Sequence, residues 1–548
     1  MHHDVLDSAP SLPNVRPTIV LAGDDHTMGG QYLTQLCDVF GPSIVDGVAG
    51  AVRTERDRAI VRSMEAVVRD VAPEVATFLE GVVAGATAIG RALEFDDLLA
   101  RFTGADTLFD GVAASTADGD GCTGLAAWGA ATQRGGLVAA GSKDHQPRPE
   151  VSLFVYPTDG GHPYVWTPSL VFGGSGIGGH PGMNDRGLAY VHHGATCWIQ
   201  CTPQAEWEVG ITMPVAVLHT LRFAQNADDA KALQLGYPCG DGRVGGFWVD
   251  VDGRSWVIEN RSDPVAIRTA GDHGERSYLY AANNGLCREV AHCQDPPPGG
   301  QVYVPHGGWS GSEATFSSVA RNLQVRSFFE THYGDIDVAL VQALFREPGT
   351  RPAYPSLQAA ESGYLERRGE GWDHRVANQF NATVGIVEPK RGEGGRYLAS
   401  WGATARGGHP FGPSKHAYPV DPLGTWYEVR LMATAERTVA EASEQAKRDM
   451  YEANLQLAEL TYQDAAYVPL RARFDEAARW WQHGDHHLTR ALGAPSTVVR
   501  RLGAALRAFT RAQALARHVL ESLAPPEPLS PPAVTERPRE EHTHGRTQ

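Results

Sequence analysis

Residues Asp118 to His145 read DGDGCTGLAAWGAATQRGGLVAAGSKDH, and this stretch decides the fold. Two runs of strand-forming residues flank Gln133-Arg134-Gly135-Gly136, whose glycines tolerate positive φ, so the segment predicts a β-hairpin. Centred on that turn, the arms run antiparallel and Cys122 lies opposite a residue just past Asp144. Cross-strand and diagonal neighbours are roughly 5–8 Å apart. A thiol at one strand start and a carboxylate at the partner's end therefore share one sheet edge. Cys122 also follows a run of Gly and Asp, away from the apolar neighbours that a core cysteine keeps.

Outward from the hairpin, the pattern changes on both sides. Towards the N-terminus, TIVLAG reads as a strand, and residues from Thr27 to about Gly90 carry apolar positions at helical spacing. Pro73 is placed to open a new helix at its first turn. From Cys122 to about residue 310, short β-type runs alternate with Gly, Pro and Asp turns, which predicts a largely antiparallel sheet region. Helix returns near Ser317, and late strands follow in NATVGIVEP, RYLASWGA and GTWYEVRL. A long helical region then runs to about residue 522, interrupted near Pro469. Helices, then strands, then helices predict an α+β fold, a sheet sandwich covered by helices. The expected divisions are a disordered start (1–16), a helical segment (17–121), a catalytic segment (122–430), a helical extension (431–522) and a disordered Pro-rich tail (523–548).

Composition narrows the function classes. With 48 Lys and Arg against 64 Asp and Glu, the net charge is −16, which gives a nucleic-acid role little electrostatic support. The seven cysteines include no C-x-x-C pair, so a reducing, cytoplasmic setting is expected rather than a disulfide framework. No apolar run is long enough to span a bilayer. His483-Gly484-Asp485-His486-His487 reads as a solvated helix end in preference to a metal site, and no metal or cofactor is expected.

Cleavage before Cys122 would leave a residue bearing both a thiol and a free α-amine, whose unperturbed pKa lies near about 8. The amine can then act as general base for its own thiol. Gly121 is the residue best able to adopt the strained conformation that self-cleavage needs.

This hairpin resembles the self-processing site of N-terminal-nucleophile hydrolases of the penicillin acyltransferase and peptidase C45 group, relatives of choloylglycine hydrolase and acid ceramidase. Other segments are similar in the same order: DDHTMGGQYLTQL, EFDDLLAR, GIGGHPGMNDRGLAYVHHG, YLYAANNGL and SVARNLQVRSFFETHYGDID, over about residues 18–430. The resemblance implies a four-layer αββα sandwich and an amide hydrolase or acyltransferase working through a cysteine thioester. It implies Cys122 as nucleophile after a Gly121–Cys122 cleavage, with Asp144 holding the amine. Asn283 or Asn284 would donate to the oxyanion, and Arg321, with Ser318, would support the site. His192 and His193 would line the pocket. The family's Arg-Asn-x-Asp reads Gly141-Ser142-Lys143-Asp144 here, without the arginine and asparagine.

The expected partners are a small-molecule amide or acyl donor and the two processed chains, with no nucleic acid or membrane and with room for a homo-oligomer. Two other readings stay open. One is a non-catalytic, unprocessed scaffold of the same fold. The other is a conventional cysteine hydrolase that uses His192 or His193 as base.

Overall fold

The computed structural model describes residues 17–105, 109, 121–144, 151–167, 181–191, 210–238, 246–260, 266–283, 285–287, 302–304, 308–310, 313–346, 376, 381–400, 425–461, 463–491 and 497–524. They form a mixed α and β structure with two large sheets. The first sheet begins with β1 (Thr18–Gly23), which pairs in parallel with β4 (Ser152–Pro157). It continues antiparallel through β5 (Tyr164–Trp166), β6 (Gly182–Asn184), β7 (Leu188–Val191), β8 (Phe247–Asp250), β9 (Ser255–Asn260) and β10 (Ala266–Thr269).

The second sheet has six strands. In spatial order they are β11 (Tyr278–Ala281), β2 (Gly121–Gly129), β3 (Gly135–Asp144), β14 (Asn381–Glu388), β15 (Gly395–Ser400) and β16 (Trp426–Leu431), all antiparallel. A small separate pair joins β12 (Val302–Val304) to β13 (Gly308–Ser310).

Strand alternation sorts the apolar residues into three buried clusters. Val20, Phe154 and Val249 of the first sheet meet Ala126, Leu279 and Val387 of the second, so the two sheets pack face to face. Hydroxyls bind the same interface: Ser152 Oγ lies 2.6 Å from Tyr397 Oη and 3.0 Å from Tyr427 Oη. The other face of the first sheet, through Leu21, Leu153 and Trp248, is covered by α1 (Asp25–Phe40), α2 (Glu55–Val71), α3 (Pro73–Ala88), α4 (Phe95–Thr103), α5 (Met213–Phe223) and α6 (Ala227–Gly236). The other face of the second sheet, through Leu125, Tyr278 and Ile386, is covered by α7 (Glu313–Thr331) and α8 (Val338–Arg346).

Local chemistry accounts for several boundaries. Asp24 caps α1, accepting from Thr27 N–H at 2.7 Å, and Thr54 with Asp57 forms a capping box on α2. Pro73 stands at the first turn of α3, where its missing N–H costs nothing.

The last three helices, α9 (Ala435–Ala458), α10 (Tyr467–Ala491) and α11 (Val498–Leu523), do not stand apart as an appendage. Leu502, Leu506, Phe509 and Leu515 of α11 are buried in the cluster between the sheets. The helical break falls between Ala458 and Tyr467, and Pro469 sits in the first turn of α10 rather than at the break.

The exposed edge of β1 is closed by side chains. Gln31 of α1 donates to Ala22 C=O at 2.8 Å and accepts from Ala22 N–H at 3.0 Å. One turn on, Gln35 does the same for Val20, at 2.6 and 3.3 Å. Helical i, i+4 spacing thus matches the two-residue repeat of a strand, and the amides stand in for a neighbouring strand. Among the described residues, no helix is long and apolar enough to cross a membrane.

Helices α1 and α3 cross backbone to backbone. A Cβ built on Gly29 would lie 2.0 Å from Phe78 O, and one on Gly81 would lie 1.9 Å from His26 O. We therefore expect Gly81→Ala to push the helices apart and cost about 3 kcal/mol, the upper end of ordinary overpacking. Chemical denaturation checks this, with Gly30→Ala as the control, since a Cβ there meets nothing closer than 3.7 Å.

Candidate active site

Cys122 is the second residue of β2 and is 5% exposed. The hairpin forms, but its turn lies earlier than Gln133–Gly136. Gly129 pairs with Gly135, both at positive φ, and the chain reverses over residues 130–134. Thr132 ties the turn together, donating to Gly136 O at 2.8 Å. Gln133 N–H donates to Ile336 O at 3.0 Å and docks the turn on the segment between α7 and α8. The register shifts accordingly. Cys122 lies opposite Lys143, and Asp144 lies opposite Gly121, so Cys122 faces a residue before Asp144 rather than past it. The side chains of Lys143 and Asp144 lie outside the described residues, as do His192, His193 and Asn284.

On its other side β2 pairs with β11, from Tyr278 opposite Ala127 to Ala281 opposite Gly124. Two residues further in that register, Asn283 comes level with Cys122. Its Oδ1 accepts the Cys122 backbone N–H at 2.9 Å and Arg321 Nη2–H at 2.6 Å. Both partners are donors, which fixes the amide oxygen on this side and directs the amide NH₂ elsewhere. Asn283 N–H itself donates to Ser318 Oγ at 2.6 Å.

Arg321 and Ser318 stand three residues apart on α7, one face of one helix. Arg321 Nη1 donates to the Cys122 carbonyl and, at 2.8 Å, to Thr123 Oγ1. Asn283, Ser318 and Arg321 are all buried. The peptide unit of Cys122 is therefore held at both ends, N–H by a side-chain carbonyl and C=O by a guanidinium. Of the residues expected at the site, the structure brings together Cys122, Asn283, Ser318 and Arg321.

Thr123 joins them without having been expected. Its signal was position alone, since it follows the cysteine on the strand and so faces α7. Glu259 was also missed. It fastens the backbone after Asn283, accepting from Leu286 N–H at 2.8 Å and Cys287 N–H at 2.6 Å. Its signal was an acid inside the apolar strand run SWVIEN.

Other polar groupings lie elsewhere. A cavity of about 40 Å³ between the first sheet and its helices, lined by Asp25, Tyr32, Tyr164 and Arg222 among others, is on the face of that sheet turned away from the second sheet. Asp25 and Arg222 form a buried ion pair there, while burial pushes the Asp25 carboxyl up. His483 and His487 lie within α10 rather than at a solvated end, with their Nε2 atoms 3.2 Å apart. Burial, then His483 and His486, hold the His487 ring down at about 4, so it is neutral at pH 7. Among the described residues, no group of three or more His, Cys, Asp or Glu is placed to hold a metal ion.

No protein-family model matches the chain, and no curated protein matches it. Among solved structures, it is similar to a mutant of conjugated bile acid hydrolase from Clostridium perfringens, at 10% identity and a TM-score of 0.30, over 51% of this chain and 88% of that one. A second variant of that enzyme gives 11% identity and a TM-score of 0.26, over 51% and 89%. Likeness at this level carries no inference about fold or activity.

Arg321 makes these three contacts through a planar fork that a point-charge ammonium does not reproduce. Arg321→Lys is expected to leave at least one buried acceptor unmatched and to lower stability by about 2 kcal/mol. Urea denaturation reads this directly, and an unchanged midpoint would show that the three contacts carry no net stability.

Proposed function

We propose that this chain is a self-processing N-terminal-nucleophile amide hydrolase or acyltransferase on an αββα frame. The observation that carries the reading is the grip on the Cys122 peptide unit by Asn283 Oδ1 and the Arg321 guanidinium. Three of the core clusters, one between the sheets and one on the outer face of each, support the frame.

The reaction has two stages. In the first, Cys122 Sγ attacks the Gly121 carbonyl carbon, the C–N bond to Cys122 breaks, and the nitrogen takes a proton to become an amine. Water then cleaves the Gly121 thioester, which leaves a Gly121 carboxylate and a free Cys122. In the second stage, the α-amine takes the thiol proton as Sγ attacks a substrate amide carbonyl. The leaving amine departs with a proton, and water or an acceptor amine takes the acyl group from sulfur.

The residues divide the work. Asn283 Oδ1 already accepts from the nitrogen that becomes the amine, so it keeps that nitrogen in place after scission. A positive guanidinium hydrogen-bonded to Asn283 Oδ1 and to the Cys122 carbonyl disfavours a second cation at the amine and favours thiolate, which suits an amine acting as base near neutral pH. The Asn283 amide NH₂ is the donor for the oxyanion, and stabilisation of that kind is worth about 3 kcal/mol per donor. The resemblance assigns Asp144, a residue of β3, the task of holding the amine. Hydrolysis and acyl transfer differ only in what reaches the thioester, and both are included in the proposal.

The test is the intact mass of the purified protein under denaturing conditions, beside Cys122→Ala. The expected result is two chains, residues 1–121 and 122–548, for wild type and one chain for the variant. A single chain in both would remove the amine mechanism and leave the unprocessed scaffold as the better reading.

A further inference from the structure

Two fastenings of the segment that presents Asn283 are made by side chains from other elements. Ser318 Oγ accepts its N–H at one end. At the other, Glu259 Oε2 accepts the N–H groups of Leu286 and Cys287, at 2.8 and 2.6 Å. Glu259 lies on β9 of the eight-stranded sheet, whereas Asn283 follows β11 of the six-stranded one, so the second fastening spans the two sheets.

The carboxylate itself is fixed by an arginine. Glu259 Oε1 accepts from Arg268 Nε at 2.9 Å, and both residues are at most 1% exposed. Arg268 stands on β10 beside β9. It also donates to Glu275 Oε1 at 3.2 Å and to Tyr280 O on β11 at 2.5 Å. Glu275 uses its other oxygen on a different segment, accepting from Gly271 N–H at 3.2 Å and His273 N–H at 2.8 Å. One buried cation thus holds two buried carboxylates, each anchoring its own loop. Only Glu259's loop continues from Asn283.

We propose that Glu259 is a positioning residue for the nucleophile: through Leu286 and Cys287 it sets Asn283, and through Asn283 it sets the nitrogen of Cys122. The inference rests on the proposed function for its catalytic meaning, though the geometric link stands without it. A carboxylate suits the task because it accepts from the arginine and from two amides at once. The corresponding glutamine must turn an N–H towards one of those donors.

The two acids supply matched variants. Glu259→Gln and Glu275→Gln each remove one negative charge from the same Arg268 network and set a donor against a donor. They differ in which loop is released. Both are made in the full chain carrying Cys122→Ala, which blocks cleavage and keeps the backbone N–H at position 122. Hydrogen exchange is then read at that amide.

The expected result is exchange about tenfold faster with Glu259→Gln, the loss of roughly one net hydrogen bond, and little change with Glu275→Gln. Equal effects from both variants, or no effect from Glu259→Gln, would overturn the proposal. If Glu259→Gln does not fold, Glu259→Asp replaces it: the charge for Arg268 is kept, but the side chain is one methylene short of the loop amides, and the same acceleration is expected.

With Cys122 restored, the rate of scission at Gly121–Cys122 is expected to fall about tenfold in Glu259→Gln relative to Glu275→Gln. If the exchange result holds while wild type remains one chain, the self-processing reading falls and the positioning role stands. If wild type cleaves and Glu259→Gln cleaves as fast as Glu275→Gln, the positioning role falls alone.

Discussion

The site depends on one buried guanidinium. Arg321 is 2% exposed, and a buried charge is tolerated only when its donors are met. Its acceptors come from the start of β2, through the Cys122 carbonyl and Thr123 Oγ1, and from the residue after Ala282, through Asn283 Oδ1. Satisfying the cation therefore forces the strand of Cys122 and the loop of Asn283 to converge on one helix. What brings that helix into range is apolar packing. Phe329 of α7 stacks on Tyr278 of β11, with ring centroids 4.7 Å apart, and Val325 is buried in the same cluster. Packing sets where α7 lies, and the guanidinium converts that placement into geometry at Cys122.

The two edges of the sheet pair are closed by different elements. At one edge lie β1 and β16, and α11 fills the space with Leu506, Phe509 and Leu515 while Gln31 and Gln35 satisfy the β1 backbone. That edge has polar contacts of its own as well, since Gln513 of α11 accepts the Glu428 N–H of β16 and Arg517 of α11 pairs with the Glu428 carboxylate. At the other edge lie β10 and β11, joined by the Arg268 guanidinium with Glu259 and Glu275 around it. There β11 stops at Ala281 and the chain leaves the ladder to present Asn283. Backbone groups released from a ladder need new partners, and Glu259 supplies two acceptor contacts directly behind the asparagine. A polar edge is what allows a strand to end in the interior beside Cys122.

Much of this was legible in the sequence, and the failures have physical causes. The hairpin was marked by two strand-like arms about a glycine turn. Its register was not, because Gly129 and Gly135 bound a longer reversal that Thr132 closes and Ile336 docks. That docking is a tertiary contact, which no local pattern of Gln133 and Arg134 encodes. Asn283, Ser318 and Arg321 were reached through resemblance in segment order, and the residues themselves carry no spacing that links 283 to 321. Glu259 and Arg268 were visible only as charges inside apolar strand runs, an anomaly that signals a buried partner without naming it. The burial of α11 between the sheets was hidden for another reason: a helix that fills an open sheet edge has the same amphipathic pattern as one that covers a face.

The position of Cys122 beside Asn283 has a local reason. In the intact chain the Cys122 N–H already points at Asn283 Oδ1, at 2.9 Å. Scission at Gly121 would turn that N–H into an amine at the same place, with its acceptor in position and no strand movement required. All that must change lies on the N-terminal side of Cys122, where the backbone of Gly121 pairs opposite Asp144. On the proposed reading, Cys122 stands level with Asn283 because the nitrogen that scission releases must already be held by the residue beside it.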